Sequence, residues 1–337
     1  MTGPLHGLRI VELAGIGPVP FAGMMLADHG AKVIRVERPG ATSESSDPLL
    51  RSRIPMTLDL KSAEGAAELR ALCKSADGLI EGFRPGVMER LGLGPDALLV
   101  DNPKLVYGRM TGWGQDGPLA QKAGHDINFI ALSGTLGALG RAGDKPTPPI
   151  NLVGDFGGGG MLLAFGMVSA LLAVKMGGSG QVVDCAMTDG SALLMAMMWG
   201  FRAQGRWTDE RGSNVIDTGA PFYDTYETAD GLFVAVGAIE PQFYAELRRV
   251  LGIANDPNFD AQFDPAQWPS QKAELARLFK ARTRAEWGDL FDQSEACVAP
   301  VLSMTEALEH PHNVTRGTFV TIDGVPQPAP APRFTPL

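Results

Sequence analysis

Two segments carry the residues best placed for chemistry. Gly124-His125-Asp126-Ile127-Asn128 opens one apolar-periodic stretch, and Gly154-Asp155-Phe156-Gly157-Gly158-Gly159-Gly160 opens the next. The chain has only five histidines, so one placed behind a glycine at a predicted helix start is informative. A helix start leaves backbone N–H groups without partners and carries the positive end of the helix dipole. His125 and Asp155, at two such starts, could face each other across a small gap. That arrangement suits a reaction in which a proton leaves one side of a carbon and returns on the other. The free N–H groups could hold a developing oxyanion. Taken singly, His125 also fits a hydrogen-bonded structural histidine, and Asp155 fits a helix N-cap. Their joint placement, each flanked by glycine, favours chemistry.

A second group of residues speaks of an anionic ligand. Arg38, Arg51, Arg53, Arg84 and Arg90 fall mostly at or just beyond the carboxyl ends of predicted strands. Ligands of an open parallel sheet dock there, and the guanidinium fork matches phosphate oxygens. Solvated surface arginine is the plainer alternative. Gly15-Ile16-Gly17-Pro18 follows the first predicted strand, where a dinucleotide fingerprint would lie. The third glycine of that fingerprint is replaced by Pro20, and Pro18 and Pro20 lack N–H donors for a phosphate. A hydride cofactor is therefore not expected. The glycines read instead as a turn that something approaches closely.

The elements that must position these residues follow from periodicity. Leu8–Leu13 and Lys32–Glu37 read as strands around a helix at Pro20–His29, a βαβ unit with parallel strands. A helix at Ala63–Ser75, strands at Gly78–Ile80 and Leu105–Arg109, helices at His125–Leu139 and Gly157–Met176, and a strand at Gln181–Asp184 continue the pattern. The predicted fold is α/β: a doubly wound, mostly parallel, Rossmann-like sheet in a large domain over residues 1–205, completed by 315–337. A helix at Ser191–Gln204 precedes a polar linker at 206–224. A smaller α+β domain, 225–312, begins with a hairpin of Tyr223–Glu227 and Leu232–Val236 around Asp230-Gly231. It continues with helices at Pro241–Leu251, Gln271–Ala281 and Arg284–Gln293, and the proline-rich tail from Pro326 to Pro332 should be extended.

Composition sets the class. The chain has 337 residues, 45% of them hydrophobic, enough to bury a large core. Its net charge of −9 disfavours nucleic acid and anionic membranes as partners. Cys73, Cys185 and Cys297 are odd in number and far apart, so neither a disulfide framework nor a zinc site is indicated. The N-terminus shows no signal-peptide pattern, and the longest apolar run, Met161–Val174, falls short of the ~18 residues of a membrane span. A cytoplasmic protein without a metal site is the expectation. Fourteen methionines, among them Met187, Met195, Met197 and Met198, could give an adaptable apolar surface or simply fill a core.

Several motifs in order resemble one family. They are Leu13-Ala14-Gly15-Ile16-Gly17-Pro18, Leu26-Ala27-Asp28-His29-Gly30-Ala31, Asp59-Leu60-Lys61, Gly82-Phe83-Arg84-Pro85-Gly86, Gly112-Trp113-Gly114-Gln115, and the His125 and Asp155 segments. The match continues through Gly219-Ala220-Pro221-Phe222-Tyr223-Asp224 and Gly237-Ala238-Ile239-Glu240-Pro241-Gln242 to Pro330-Ala331-Pro332-Arg333-Phe334. Together they are similar to the α-methylacyl-CoA racemases, within the type III (formyl-CoA-type) CoA transferase superfamily. The resemblance implies a homodimer of chains interlocked like rings, with the active site shared between them. It implies His125 and Asp155 as the catalytic pair, and Glu240 as the support of the histidine, reaching the site from the partner chain. The implied CoA contacts are Arg38, Leu58, Asp59, Leu60, Lys61, Gly82, Phe83, Arg84, Arg90, Gly124, Asp126, Ile127, Asn128 and Phe129. No cofactor is implied, because CoA is part of the acyl-CoA substrate. The chain ends at Leu337, where relatives continue.

The implied reaction interconverts (2R)- and (2S)-2-methylacyl-CoA thioesters by proton transfer through an enolate. The alternative within the superfamily is CoA transfer with Asp155 as the acyl-accepting nucleophile. That alternative has no evident use for a histidine.

Overall fold

Six parallel strands form the centre of the first of two compact units. A computed structural model of the chain describes residues 3–41 and 46–335. The first unit comprises Met1–Thr135, Pro149–Ala196 and Gly317–Leu337, and the second comprises Leu136–Pro148 and Met197–Arg316. Pro336 and Leu337, part of the predicted large domain, lie outside the described residues.

In the first unit β1 (Arg9–Leu13) leads through α1 (Pro18–Asp28) to β2 (Lys32–Glu37) and then to β3 (Arg53–Thr57). Next come α2 (Ala63–Cys73), β4 (Gly78–Glu81), two short helices α3 (Val87–Arg90) and α4 (Pro95–Asp101), and β5 (Val106–Thr111). The sheet order is β3-β2-β1-β4-β5-β6, with β6 at Val182–Ala186. Every pairing within it is parallel. This is the doubly wound order, whose direction reverses between β1 and β4. The edge strand β3 is absent from the sequence-based prediction. Its Pro55 and its polar flanks hide a strand that only pairing with β2 defines.

Both faces of the sheet are covered, as a parallel sheet requires. Ile10, Val33, Ile80 and Val106 pack with Val19 and Leu26 of α1 and Leu163 and Met167 of α7 (Leu162–Lys175). On the other face Val11, Leu13, Val36, Leu79 and Tyr107 pack with Leu69 and Cys73 of α2 and Leu98 of α4. Neighbouring residues of β1 thus serve opposite cores, which is the period-two signature of a strand.

The helix predicted from His125 to Leu139 is two helices, α5 (Asp126–Leu132) and α6 (Thr135–Ala138). Gly134 separates them at φ 86°, a left-handed turn that interrupts helix geometry. The helix predicted to begin at Gly157 begins five residues earlier. Leu152–Met161 winds as a π-helix and runs directly into α7. Wide turns of this kind recur at functional sites. Asp155 therefore lies in the first turn of a helix rather than ahead of it.

That continuity also corrects the apolar run. Leu152–Lys175 is 24 helical residues that include an 18-residue window of mean hydropathy 1.8, long and apolar enough for a membrane span by length and composition. Leu163, Met167, Ala170 and Leu171 bury one face of it in the core, the placement of a helix that covers a sheet. Helices α8 (Met187–Leu194) and α9 (Ala196–Ala203) replace the single predicted helix of residues 191–204.

The second unit has its own core, in which Phe222, Tyr226, Phe259, Phe279 and Trp287 are buried. Its sheet is β7 (Tyr223–Glu227), β8 (Phe233–Gly237) and β9 (Val298–Pro300), antiparallel throughout. Helices α10 (Pro241–Val250), α11 (Trp268–Phe279) and α12 (Arg284–Phe291) come before β9, and α13 (Met304–Glu309) and α14 (Pro311–Arg316) follow it. The stretch read as a linker is tightly bonded. The Asp217 carboxylate accepts from the N–H groups of Gly212, Asn214 and Gly219.

The chain closes in the first unit with an antiparallel hairpin, β10 (Phe319–Ile322) and β11 (Val325–Pro328). Part of the proline-rich tail is thus a paired strand. Arg51 holds it, donating to Gln327 Oε1 at 2.9 Å and to the Pro328 carbonyl at 2.7 Å.

Candidate active site

Loops at the carboxyl ends of β1 to β5 shape two cavities in the first unit. One, of about 670 Å³, is lined by Arg38, Leu58, Asp59, Leu60, Lys61, Phe83 and Arg90, with Arg35 and Glu37. The other, of about 750 Å³, is lined by Gly82, Phe83, Arg84, Gly124, His125, Phe129 and Asp155, with Gly17, Trp113, Asn151 and Met187. Gly15 and Ile16, after β1, and Phe83, after β4, line both. Both cavities therefore border the place where the strand order reverses, the usual ligand position in such sheets.

The first cavity is positively equipped. Arg38 follows β2, and the turn of residues 58–61 follows β3. Asp59 accepts from the Lys61 N–H at 3.0 Å, and Ser62 caps α2 through the Gly65 N–H at 3.0 Å. This turn leads Lys61 to the cavity wall. Arg51 and Arg53, predicted to join the phosphate-binding group, do not line either cavity. Arg51 pairs with Asp28, and Arg53 Nε donates to Glu12 at 2.8 Å. Their side chains are nearly fully buried, so neither surface solvation nor ligand binding describes them. Glu12, itself fully buried, also pairs with Arg35, which joins β1, β2 and β3 through one carboxylate.

The second cavity holds the histidine and the aspartate. His125 is the extended residue that opens α5, with φ −132° and ψ 172°. Its N–H donates to Asn128 Oδ1 at 3.0 Å, which fixes the start of the helix. The imidazole is exposed, and Asp155 is half-buried. Asn151 Nδ2 donates to Asp155 Oδ2 at 3.0 Å. Trp113 and Phe129 meet edge to face at 4.8 Å and wall the cavity beside Gly124.

Of the predicted contact residues, Asp126, Ile127 and Asn128 line neither cavity. Asp126 is buried beneath the site, and Ile127 and Asn128 are exposed on α5. Glu240 stands in the second unit, at the residue that opens α10. Gly17, Asn151 and Trp113 belong to the site without having been singled out as site residues. The turn around Gly17 carried a signal, since it was read as a point of close approach. Asn151 carried none, because the helix it precedes was predicted to start later.

Below the loop after β4 lies a buried carboxyl. Glu81 Oε2 accepts from the Phe83 N–H at 2.7 Å, and its other oxygen accepts from Arg109 at 3.2 Å. Burial pushes this carboxyl up to about 7, outweighing the opposing pull of the Phe83 amide and Arg109.

Comparison with known proteins agrees with this architecture. The chain is 51% identical to alpha-methylacyl-CoA racemase of Mus musculus, over 97% of this chain and 86% of that protein. It is 48% identical to the Homo sapiens protein of the same name, over 98% and 87%. The crystal structure of a CAIB/BAIF family protein from Brucella suis superposes with a TM-score of 0.83 at 25% identity, covering 99% of this chain and 93% of that one. The sequence profile of CoA-transferase family III spans residues 5–336, over the loops that shape both cavities, and this chain belongs to that family.

Proposed function

We propose that this chain has the α-methylacyl-CoA racemase activity named for its mouse and human relatives, interconverting the 2R and 2S epimers of 2-methylacyl-CoA thioesters. The observation that carries the proposal is the shared lining. Gly15, Ile16 and Phe83 border both the cavity of His125 and Asp155 and the cavity lined by Arg38, Lys61 and Arg90. CoA phosphates suit the second of these, and the thioester then reaches the first.

In the proposed mechanism one group of the pair removes the α-proton and leaves an enolate. The other returns a proton to the opposite face. Neutral His125 works with protonated Asp155 in one direction, and imidazolium with carboxylate in the other. The thioester acidifies the α-carbon only modestly, so its oxygen needs a donor as charge develops. The N–H groups at the start of α5, which follows the cavity-lining His125, are the proposed donors, and that of Asp126 would serve only if the bound thioester reaches past the cavity wall. Arg38, Lys61, Arg84 and Arg90 anchor CoA and so place the α-carbon. Glu240 supports the histidine of the other copy in a homodimer. An exposed apolar stripe along α7 and its two flanking residues, from Met161 through Phe165, Val168 and Leu172 to Met176, supports that partner.

The test uses a pure (2R)-2-methylacyl-CoA in deuterated water. The 2S epimer should appear with deuterium at the α-carbon. Epimerisation without deuterium, or none, overturns the proposal. Trapping an acyl group on Asp155 with hydroxylamine would instead mark a transferase.

A further inference from the structure

Asp126 sits beside His125 in the chain, yet its side chain serves Asp155. Oδ1 accepts from the Asp155 N–H at 2.7 Å. The Gly154 N–H also lies within its influence. The residue is 6% exposed, and Oδ2 is buried without a partner among the described residues. A buried carboxyl with one idle oxygen is costly to keep for stability alone. Asn151, the residue before the π-helix, makes no side-chain cap. Asp126 supplies that cap from another helix. Burial, with the nearby charge of Asp155 adding to it, raises the Asp126 carboxyl above the usual carboxylate range.

One residue therefore ties the start of α5 to the first turn of the π-helix. The Asp155 carboxylate is also held at its tip by Asn151. Tip and backbone are thus fixed separately. We infer that Asp126 is a positioning residue whose carboxylate sets the separation of His125 and Asp155, so that a proton removed by one is replaced by the other. This inference rests on the two-base racemase proposed above. If the latch is lost, Asp155 shifts while His125 stays. Abstraction and return by His125 continue, and delivery to the opposite face slows. A displacement of about 1 Å can cost ~100-fold in rate.

The experiment measures, for each epimer in deuterated water, deuterium entry with retention against deuterium entry with inversion. Asp126→Ala and Asp126→Ser should raise the retention-to-inversion ratio of one epimer about tenfold or more, with KM changed far less. Asp126→Asn keeps an acceptor oxygen and should return most of the ratio toward wild type. If the smaller variants fail to fold, the Asn variant alone decides, because a ratio displaced tenfold or more there overturns the inference. Smaller variants that lose rate at an unchanged ratio also overturn it, since a merely structural role predicts that result. A wild-type protein that exchanges no α-deuterium overturns the racemase proposal, and this inference with it.

Discussion

Gly17 and Asp155 are in close approach. A β-carbon on Gly17 would stand 3.1 Å from Asp155 Oδ2, and Gly17 holds φ at 67°. The turn after β1 resembles a dinucleotide fingerprint and fails as one. What approaches its backbone at Gly17 is the Asp155 carboxylate.

Gly17→Ala should therefore act twice. With ψ at −115° Gly17 adopts a backbone conformation that strains a residue with a β-carbon by about 1–3 kcal/mol. The added methyl also presses on Asp155. Activity should fall at least ~10-fold, with a lower melting temperature, in steady-state assays and thermal denaturation.

His125→Ala and Asp155→Ala should each lower kcat by at least ~100-fold, because each removes one partner of the proposed proton transfer. Each single variant should still exchange the α-proton of the epimer that its remaining group attacks. Proton NMR in deuterated water distinguishes the two losses.

Lys61→Ala and Arg90→Ala should raise KM about tenfold or more for acyl-CoA while changing kcat little, since each removes a proposed charge-assisted contact far from the reacting carbon. Arg53→Ala should behave differently, with stability falling first. It would leave Glu12 short of one partner in the core.

Glu81 should make stability depend on pH in a defined window. Its folded carboxyl is pushed up from 4.5 to about 7, so the folded state keeps a proton that the unfolded state releases. The contribution is present in full below about 4.5 and is lost as pH rises through about 7, an effect on the order of 3 kcal/mol. Denaturant titrations across this range should show the decline in wild type and a flatter course in Glu81→Gln.

Arg51→Ala should loosen the terminal hairpin. It removes the bonds to Gln327 and Pro328 and strands Asp28, which is buried. Hydrogen exchange should speed in Phe319–Pro328 before it speeds in β1.

The sequence made much of the site legible because its chemistry is local. Lys32–Glu37 and the hairpin around Asp230-Gly231 follow from alternation and turn residues, and both stand where they were predicted. His125 opens a helix as its preceding glycine suggested. Arg38 and Arg90 line a cavity, as does Lys61, which only the resemblance implied. Arg51 and Arg53 were grouped with Arg38 and Arg90, yet Arg53 opens β3 rather than following a strand end. They differ because Asp28 and Glu12, distant in sequence, meet them in the core. No local pattern encodes such a meeting.

The sequence by itself determined the βαβ order of β1, α1 and β2, the residue types of the proposed acid–base pair and several basic loop ends. These depend on period, turn chemistry and charge, which act over a few residues. Only the tertiary structure decided that the helix carrying Asp155 starts at Leu152 and winds wide, and that Gly17 and Asp126 hold that aspartate from two other segments. Those relationships join segments separated by up to 138 residues of chain (155 − 17), and close packing rather than local propensity sets them.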